Sequence, residues 1–173
     1  MRIAITLLAL LVTFGAARAK TDIGDIPPDD LGTDRNGAAV TVSANRGKVV
    51  VLSFWASWCT YCRKELPTLE KLQRAAGKAQ LEVVGVNFKE DIFLFRKLIA
   101  GMKDSQMTFT LDRKGELGKQ YGLHGLPFLV MIGRDGRIAH LHTGYDEKML
   151  DQIIDELNGL LAAPAAVASS AAP

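Results

Sequence analysis

Cysteine is scarce in this chain: 173 residues hold two, Cys59 and Cys62. That excludes a scaffold held by several disulfides. It also excludes a zinc site built from cysteine alone, which needs two further ligands. His124, His140 and His142 all lie far along the chain from the cysteine pair. The chain has no internal repeat, and no apolar run reaches the roughly 18 residues of a membrane-spanning helix. Charge of one sign is lacking too. The formal net charge is +2, with 21 basic and 19 acidic residues. Nothing in that balance calls for nucleic acid or an anionic membrane as partner, and two tryptophans without a basic surface are not a base-stacking platform.

What is present begins with a leader. Met1-Arg2 is a short positive start, Ile3 to Phe14 is almost unbroken apolar sequence, and Ala17-Arg18-Ala19 has small-x-small cleavage chemistry. Residues 1–19 are expected to act as a signal peptide, or as a membrane anchor if they are not removed. Without Arg2 and Arg18 the basic residues fall to 19, equal to the acids. Export places the mature chain, whose folded domain spans residues 20–161, in an oxidising compartment, the periplasm. Residues 162–173 form an Ala/Pro/Ser tail without a folding signal.

Between these ends the pattern alternates strand and helix. Lys20 to Asp30, with Pro27-Pro28, reads as an extended lead-in. Asp34-Arg35-Asn36-Gly37 has hairpin-turn chemistry and joins short strands near Leu31–Thr33 and Ala38–Val42. Val49 to Trp55 is continuous and largely β-branched, the mark of a strand buried on both faces. A helix follows from about Tyr61 to Ala76, with Leu66, Leu69 and Leu72 on one face. Leu81–Asn87 is a second buried strand and Ile92–Met102 a helix. Thr108–Leu111 is a short strand and Gly115–Tyr121 a small helix. Phe128–Ile132 and Arg137–His142 flank a Gly-Arg-Asp-Gly turn, and Asp146–Leu161 is an amphipathic helix. Parallel crossovers followed by an antiparallel pair predict an α/β fold, with a mixed sheet and helices on both faces.

The cysteines sit where the first buried strand turns into a helix. A bond across two intervening residues closes a tiny loop and restrains little of the unfolded chain, so it is a poor staple. As a reversible switch it has chemistry. The helix N-terminus favours thiolate at Cys59, the attacking species in disulfide exchange. Cys62, one turn on, is placed to resolve a mixed disulfide and is expected to be the more buried. Trp55 and Trp58 flank the pair, one expected in the core and one over the disulfide.

The run Phe54-Trp55-Ala56-Ser57-Trp58-Cys59-Thr60-Tyr61-Cys62-Arg63-Lys64-Glu65-Leu66-Pro67 resembles the active-site segment of thioredoxin-fold proteins, in particular the exported TlpA/ResA-like oxidoreductases. The resemblance spans about Leu31 to Leu161. It implies a thioredoxin-like three-layer α/β/α fold with a mixed central sheet and an N-terminal β-hairpin extension. It also implies a helix-kinking role for Pro67 and a cis-proline loop at Gly125-Leu126-Pro127. In that loop Pro127 would face Cys59, and the Leu126 backbone would pair with a client chain. Trp58, Thr60 and Tyr61 complete the implied substrate surface. Glu90 matches an acid that the resemblance links to proton exchange with the buried cysteine, and the catalytic set is then Cys59, Cys62 and Glu90. A solvated acid at a helix start is the other reading of Glu90. His140 and His142 share a strand face of no special chemistry.

The expected activity is protein-disulfide reduction, with no cofactor and no metal beyond the Cys59–Cys62 couple. The expected partners are client proteins with disulfides or thiols, apocytochrome c among them, and a membrane electron-donor protein, the enzyme itself being a monomer. Thr60-Tyr61 departs from relatives that carry proline in the second slot. Because these residues influence thiolate stability, a net disulfide oxidant stays open, as does a non-catalytic client-binding module.

Overall fold

The computed structural model describes residues 21–164. The leader reading of residues 1–19 and the tail beyond 164 lie outside them. The elements run β1 (Asp30–Thr33), β2 (Ala39–Thr41), β3 (Val49–Trp55), α1 (Cys62–Ala76), β4 (Leu81–Phe88), α2 (Ile92–Ala100), β5 (Thr108–Asp112), α3 (Glu116–Gln120), β6 (Phe128–Ile132), β7 (Ile138–Thr143) and α4 (Glu147–Ala162).

The apolar run Val49–Trp55 becomes the central strand of a five-stranded sheet ordered β5-β4-β3-β6-β7, and all seven of its residues are buried. β3 pairs parallel with β4 and antiparallel with β6. β4 pairs parallel with β5, and β7 closes the other edge antiparallel to β6. This is the mixed sheet that the order of elements predicts. The C-terminal ends of β3 and β4 and the N-terminal end of β6 therefore meet at one edge of the molecule, with Trp55 beside Asn87 and Phe54 beside Phe128.

The two faces are covered unequally. Leu66 and Leu69 of α1, Phe95 and Ile99 of α2, and Ile153 and Leu157 of α4 all join one apolar cluster with Val49, Val51 and Leu129. The opposite cluster holds Val50, Leu52, Phe54 and Val130, and is closed by Leu31 and Val40 of the hairpin with Tyr121 after α3. A five-residue helix cannot cover a sheet face, so the hairpin completes the third layer. Tyr121 ties the pieces together: its hydroxyl donates to the Pro28 carbonyl at 2.8 Å, and its ring packs 5.6 Å from that of Phe54. The lead-in is also anchored, since Gly24 N–H donates to the Ile138 carbonyl and Ile138 N–H to that of Asp25.

Local chemistry sets the boundaries. In the hairpin loop Gly37 alone takes positive φ, at 83°, while Asp34 Oδ1 accepts from the Asn36 and Ala38 amides. The Asn-Gly pair is thus an Asx-braced loop rather than a two-residue turn. Asp91 and Asp146 cap α2 and α4 by accepting from the Phe93 and Met149 amides. Gln73, fully buried on α1, accepts from Val83 N–H at 2.6 Å and donates to the Gln106 carbonyl. It satisfies a β4 amide just before the pairing with β5 begins.

Gly85 of β4 is a close-approach position. A Cβ there would lie 2.8 Å from the Phe109 ring and 3.2 Å from Trp55 Nε1. Gly85→Ala is expected to cost about 1–3 kcal/mol through overpacking, read from urea unfolding midpoints. An unchanged midpoint would show that these rings yield freely.

Candidate active site

Cys59 and Cys62 are joined by a disulfide, their Cα atoms 5.3 Å apart. α1 begins at Cys62, and the three residues before it form the turn that delivers Cys59. The Cys62 amide donates to Cys59 Sγ at 3.1 Å, so a backbone N–H at the helix start already points at the sulfur that must carry charge when the bond opens. Cys62 is fully buried and Cys59 is 6% exposed. Access from solvent is therefore to Cys59.

Trp55 is in the core, edge-on to Phe109 at 6.2 Å between ring centroids. Trp58 is 68% exposed and Tyr61 55% exposed, with Thr60 also exposed between them. The Leu126–Pro127 bond is cis. Pro127 is buried and opens β6, which antiparallel pairing brings to the end of β3 from which the Cys59 turn departs. The Pro127 carbonyl accepts from Gly144 N–H at 2.8 Å, and Leu126 is half-buried.

Glu90 reaches the same end from the β4–α2 loop. Lys89 just before it takes φ 54°, a left-handed conformation that non-glycine residues adopt at a cost of about 1–2 kcal/mol, and this turns the chain back toward the site. The Glu90 carboxylate accepts from Ser57 N–H at 2.9 Å, Ser57 Oγ at 2.5 Å and Asn87 Nδ2 at 2.6 Å. Both oxygens are engaged, and they hold the turn two residues before Cys59. Arg63 closes that turn from the other side, donating to the Ser57 carbonyl at 2.9 Å.

A second acid escapes the sequence reading. Glu65 lies three residues after Cys62 on the same face of α1 and is 1% exposed. Ser53 Oγ of β3 donates to its Oε2 at 2.6 Å, while its Oε1 has no hydrogen-bond partner. Burial pushes the Glu65 carboxyl up to about 7, against the lowering effect of the Ser53 hydrogen bond. The clue was available. Cys62, Leu66, Leu69 and Gln73 trace the buried arc of the helix, and Glu65 falls on that arc.

The histidines are engaged with partners other than the sulfurs. His124 is exposed and bridges the Gly122 carbonyl and Thr143 Oγ1. His140 and His142 meet Glu156 of α4, His142 Nε2 at 2.6 Å from its carboxylate. Among the described residues no group of three His, Cys, Asp or Glu side chains is placed to hold a metal ion.

The comparisons agree with this geometry. The Redoxin family matches residues 22–157. The sporulation thiol-disulfide oxidoreductase A of Bacillus subtilis is 31% identical over 147 residues, covering 83% of this chain and 88% of its own. The thiol-disulfide oxidoreductase ResA of Geobacillus kaustophilus is 30% identical over 152 residues, covering 83% and 86%. Among solved structures, the pneumococcal exposed lipoprotein thioredoxin of Streptococcus pneumoniae superposes with a TM-score of 0.66 at 27% identity, covering 77% of this chain and 100% of that one. A disulfide at the start of a helix, at the open end of a mixed sheet backed by these relatives, leads to one assignment: the chain belongs to the Redoxin family and is a thioredoxin-fold thiol-disulfide oxidoreductase of the TlpA/ResA-like kind.

Proposed function

We propose that the protein works outside the cytoplasm, in the periplasm, as a reductant of client protein disulfides. The observation that carries the exchange chemistry is the asymmetry of the sulfur pair, one partly accessible and facing a backbone amide, the other fully buried. In the dithiol form, Cys59 thiolate attacks a client disulfide, forms a mixed disulfide and releases one client thiolate. Cys62 then gives up its proton and attacks Cys59 Sγ. The second client thiolate leaves, and the enzyme is left oxidised. Two electrons pass from enzyme to client. A membrane electron-donor protein restores the dithiol, and clients that mature into cytochrome c fit this chemistry.

We assign the proton from Cys62 to Glu65, whose buried carboxyl titrates near neutrality and has an unpartnered oxygen. Glu90, for which resemblance implies that proton role, is assigned instead to holding the Cys59 turn through Ser57. The pH dependence of single-turnover exchange separates the two. Glu65→Gln is expected to remove an inflection near pH 7, and Glu90→Gln to slow exchange while keeping it. The opposite pattern returns the proton to Glu90.

Direction is tested by stoichiometry. The dithiol form mixed with a disulfide-bonded polypeptide is expected to yield one client dithiol for each Cys59–Cys62 disulfide formed. A reaction that proceeds only from the oxidised enzyme supports a net oxidant. Full biological activity in a double cysteine-to-alanine variant would make the protein a binding module.

A further inference from the structure

Beside the active site, between α1 and α2, runs a groove of about 450 Å³ that the exchange chemistry does not use. Trp55, Leu66, Leu98, Met102, Met107 and Phe109 make it mainly apolar. Ser57 and Arg63 also line it, so it opens two residues before Cys59 and one after Cys62. Of its ionic groups, Arg63, Glu70 and Arg74 are spent on one another and on nearby polar groups, while Asp104 is exposed. Glu70 pairs with Arg74 and accepts from Ser105 and the Gln106 amide, while Arg74 also donates to the Asp104 carbonyl. Trp55 forms part of its floor from the core, 2% exposed, with its indole N–H buried and without a hydrogen-bond partner. Gly85 lets Phe109 and Trp55 pack closely behind the groove wall, since a Cβ there would press on both.

From this we infer that the groove is a client subsite, which takes a large apolar side chain close in sequence to the client's reactive cysteine. The inference rests on the disulfide-exchange reading above. A client whose sulfur reaches Cys59 must lay its flanking residues over the adjoining surface, and the groove is continuous with that surface through Ser57 and Arg63. Apolar walls exclude an acidic or basic residue from favourable burial. The site therefore selects for sequence next to the cysteine, a specificity that the sulfur pair alone cannot supply.

The test uses reduced full-length enzyme and peptides that each hold one cysteine as a mixed disulfide with glutathione. A single leucine is walked through the three positions on either side of that cysteine, against an all-serine parent. At one position the leucine peptide is expected to react about tenfold faster than the parent, the effect of burying much of one aliphatic side chain. Met102→Trp, which fills the groove, is expected to erase that preference and leave the rate with a small aromatic disulfide unchanged. A non-reactive serine analogue of the preferred peptide is expected to shift the Trp55 indole N–H resonance. A flat peptide series in the wild type overturns the subsite, whatever any variant does, and so does a preference that survives in folded Met102→Trp. Failure of the wild type to react with the small disulfide instead overturns the exchange reading, and the subsite with it.

Discussion

Replacing Cys62 with serine is expected to arrest turnover at a covalent adduct, with Cys59 held to a client cysteine. The reason is geometric. Cys59 is the sulfur with some exposure, flanked by exposed Trp58 and Tyr61, whereas Cys62 is sealed in the core. An incoming disulfide meets Cys59 first, and only the internal thiol of Cys62 is placed to displace the product. Cys62→Ser should therefore accumulate mixed disulfides, visible on non-reducing gels and released by dithiothreitol. Cys59→Ser should accumulate none and show exchange no faster than background, because the remaining thiol cannot reach a client. Equal adducts from the two variants would contradict the assignment of nucleophile and resolver.

The second large effect concerns stability. Glu65 titrates near 7 in the folded protein against an ordinary 4.5, because burial disfavours its charged form. Its folded value is raised, so it penalises folding as pH rises. Below about pH 4.5 the carboxyl is protonated in both folded and unfolded chains and costs nothing. Between 4.5 and 7 the unfolded chain ionises first, and folding loses stability steadily. Above 7 the loss is complete, roughly 3 kcal/mol for a gap of that size. Glu65→Gln keeps the shape and removes the charge. It is expected to match the wild type near pH 4 and to be more stable near pH 8 by up to about that amount, read from urea unfolding across the range. A difference that does not grow with pH would show that the carboxyl ionises in the folded protein as it does in water. A natural chain that retains so costly an acid on the helix face of its resolving cysteine is consistent with a use for the proton.

Much of this architecture was legible because the local signals agree with the tertiary result. Val49–Trp55 is too long and too apolar to be anything but a central strand. Asp91 and Asp146 start their helices, and the cysteine spacing declares the chemistry. The unequal layers were not legible. That α1 and α2 share one face follows from crossover geometry, α4 joins them there after β7, and the need for the hairpin to cover the other follows from the brevity of α3. Neither property resides in any one segment. At the site, Glu90 was singled out by resemblance, but its hydrogen bonds to Ser57 depend on the left-handed turn at Lys89, which a lysine does not advertise. Glu65 was overlooked because it sits among charged neighbours, Arg63 and Lys64, and only its phase on the helix reveals it as buried. The groove was invisible because its walls come from four separate elements.

The most direct measurement is the reduction potential of the Cys59–Cys62 couple, obtained by equilibrating the protein with thiol–disulfide buffers and counting free thiols. A reversible two-electron transition near the thioredoxin value of about −270 mV is the predicted result. A value near about −120 mV would contradict the donor role, and sulfurs that never open under native conditions would contradict the redox assignment itself.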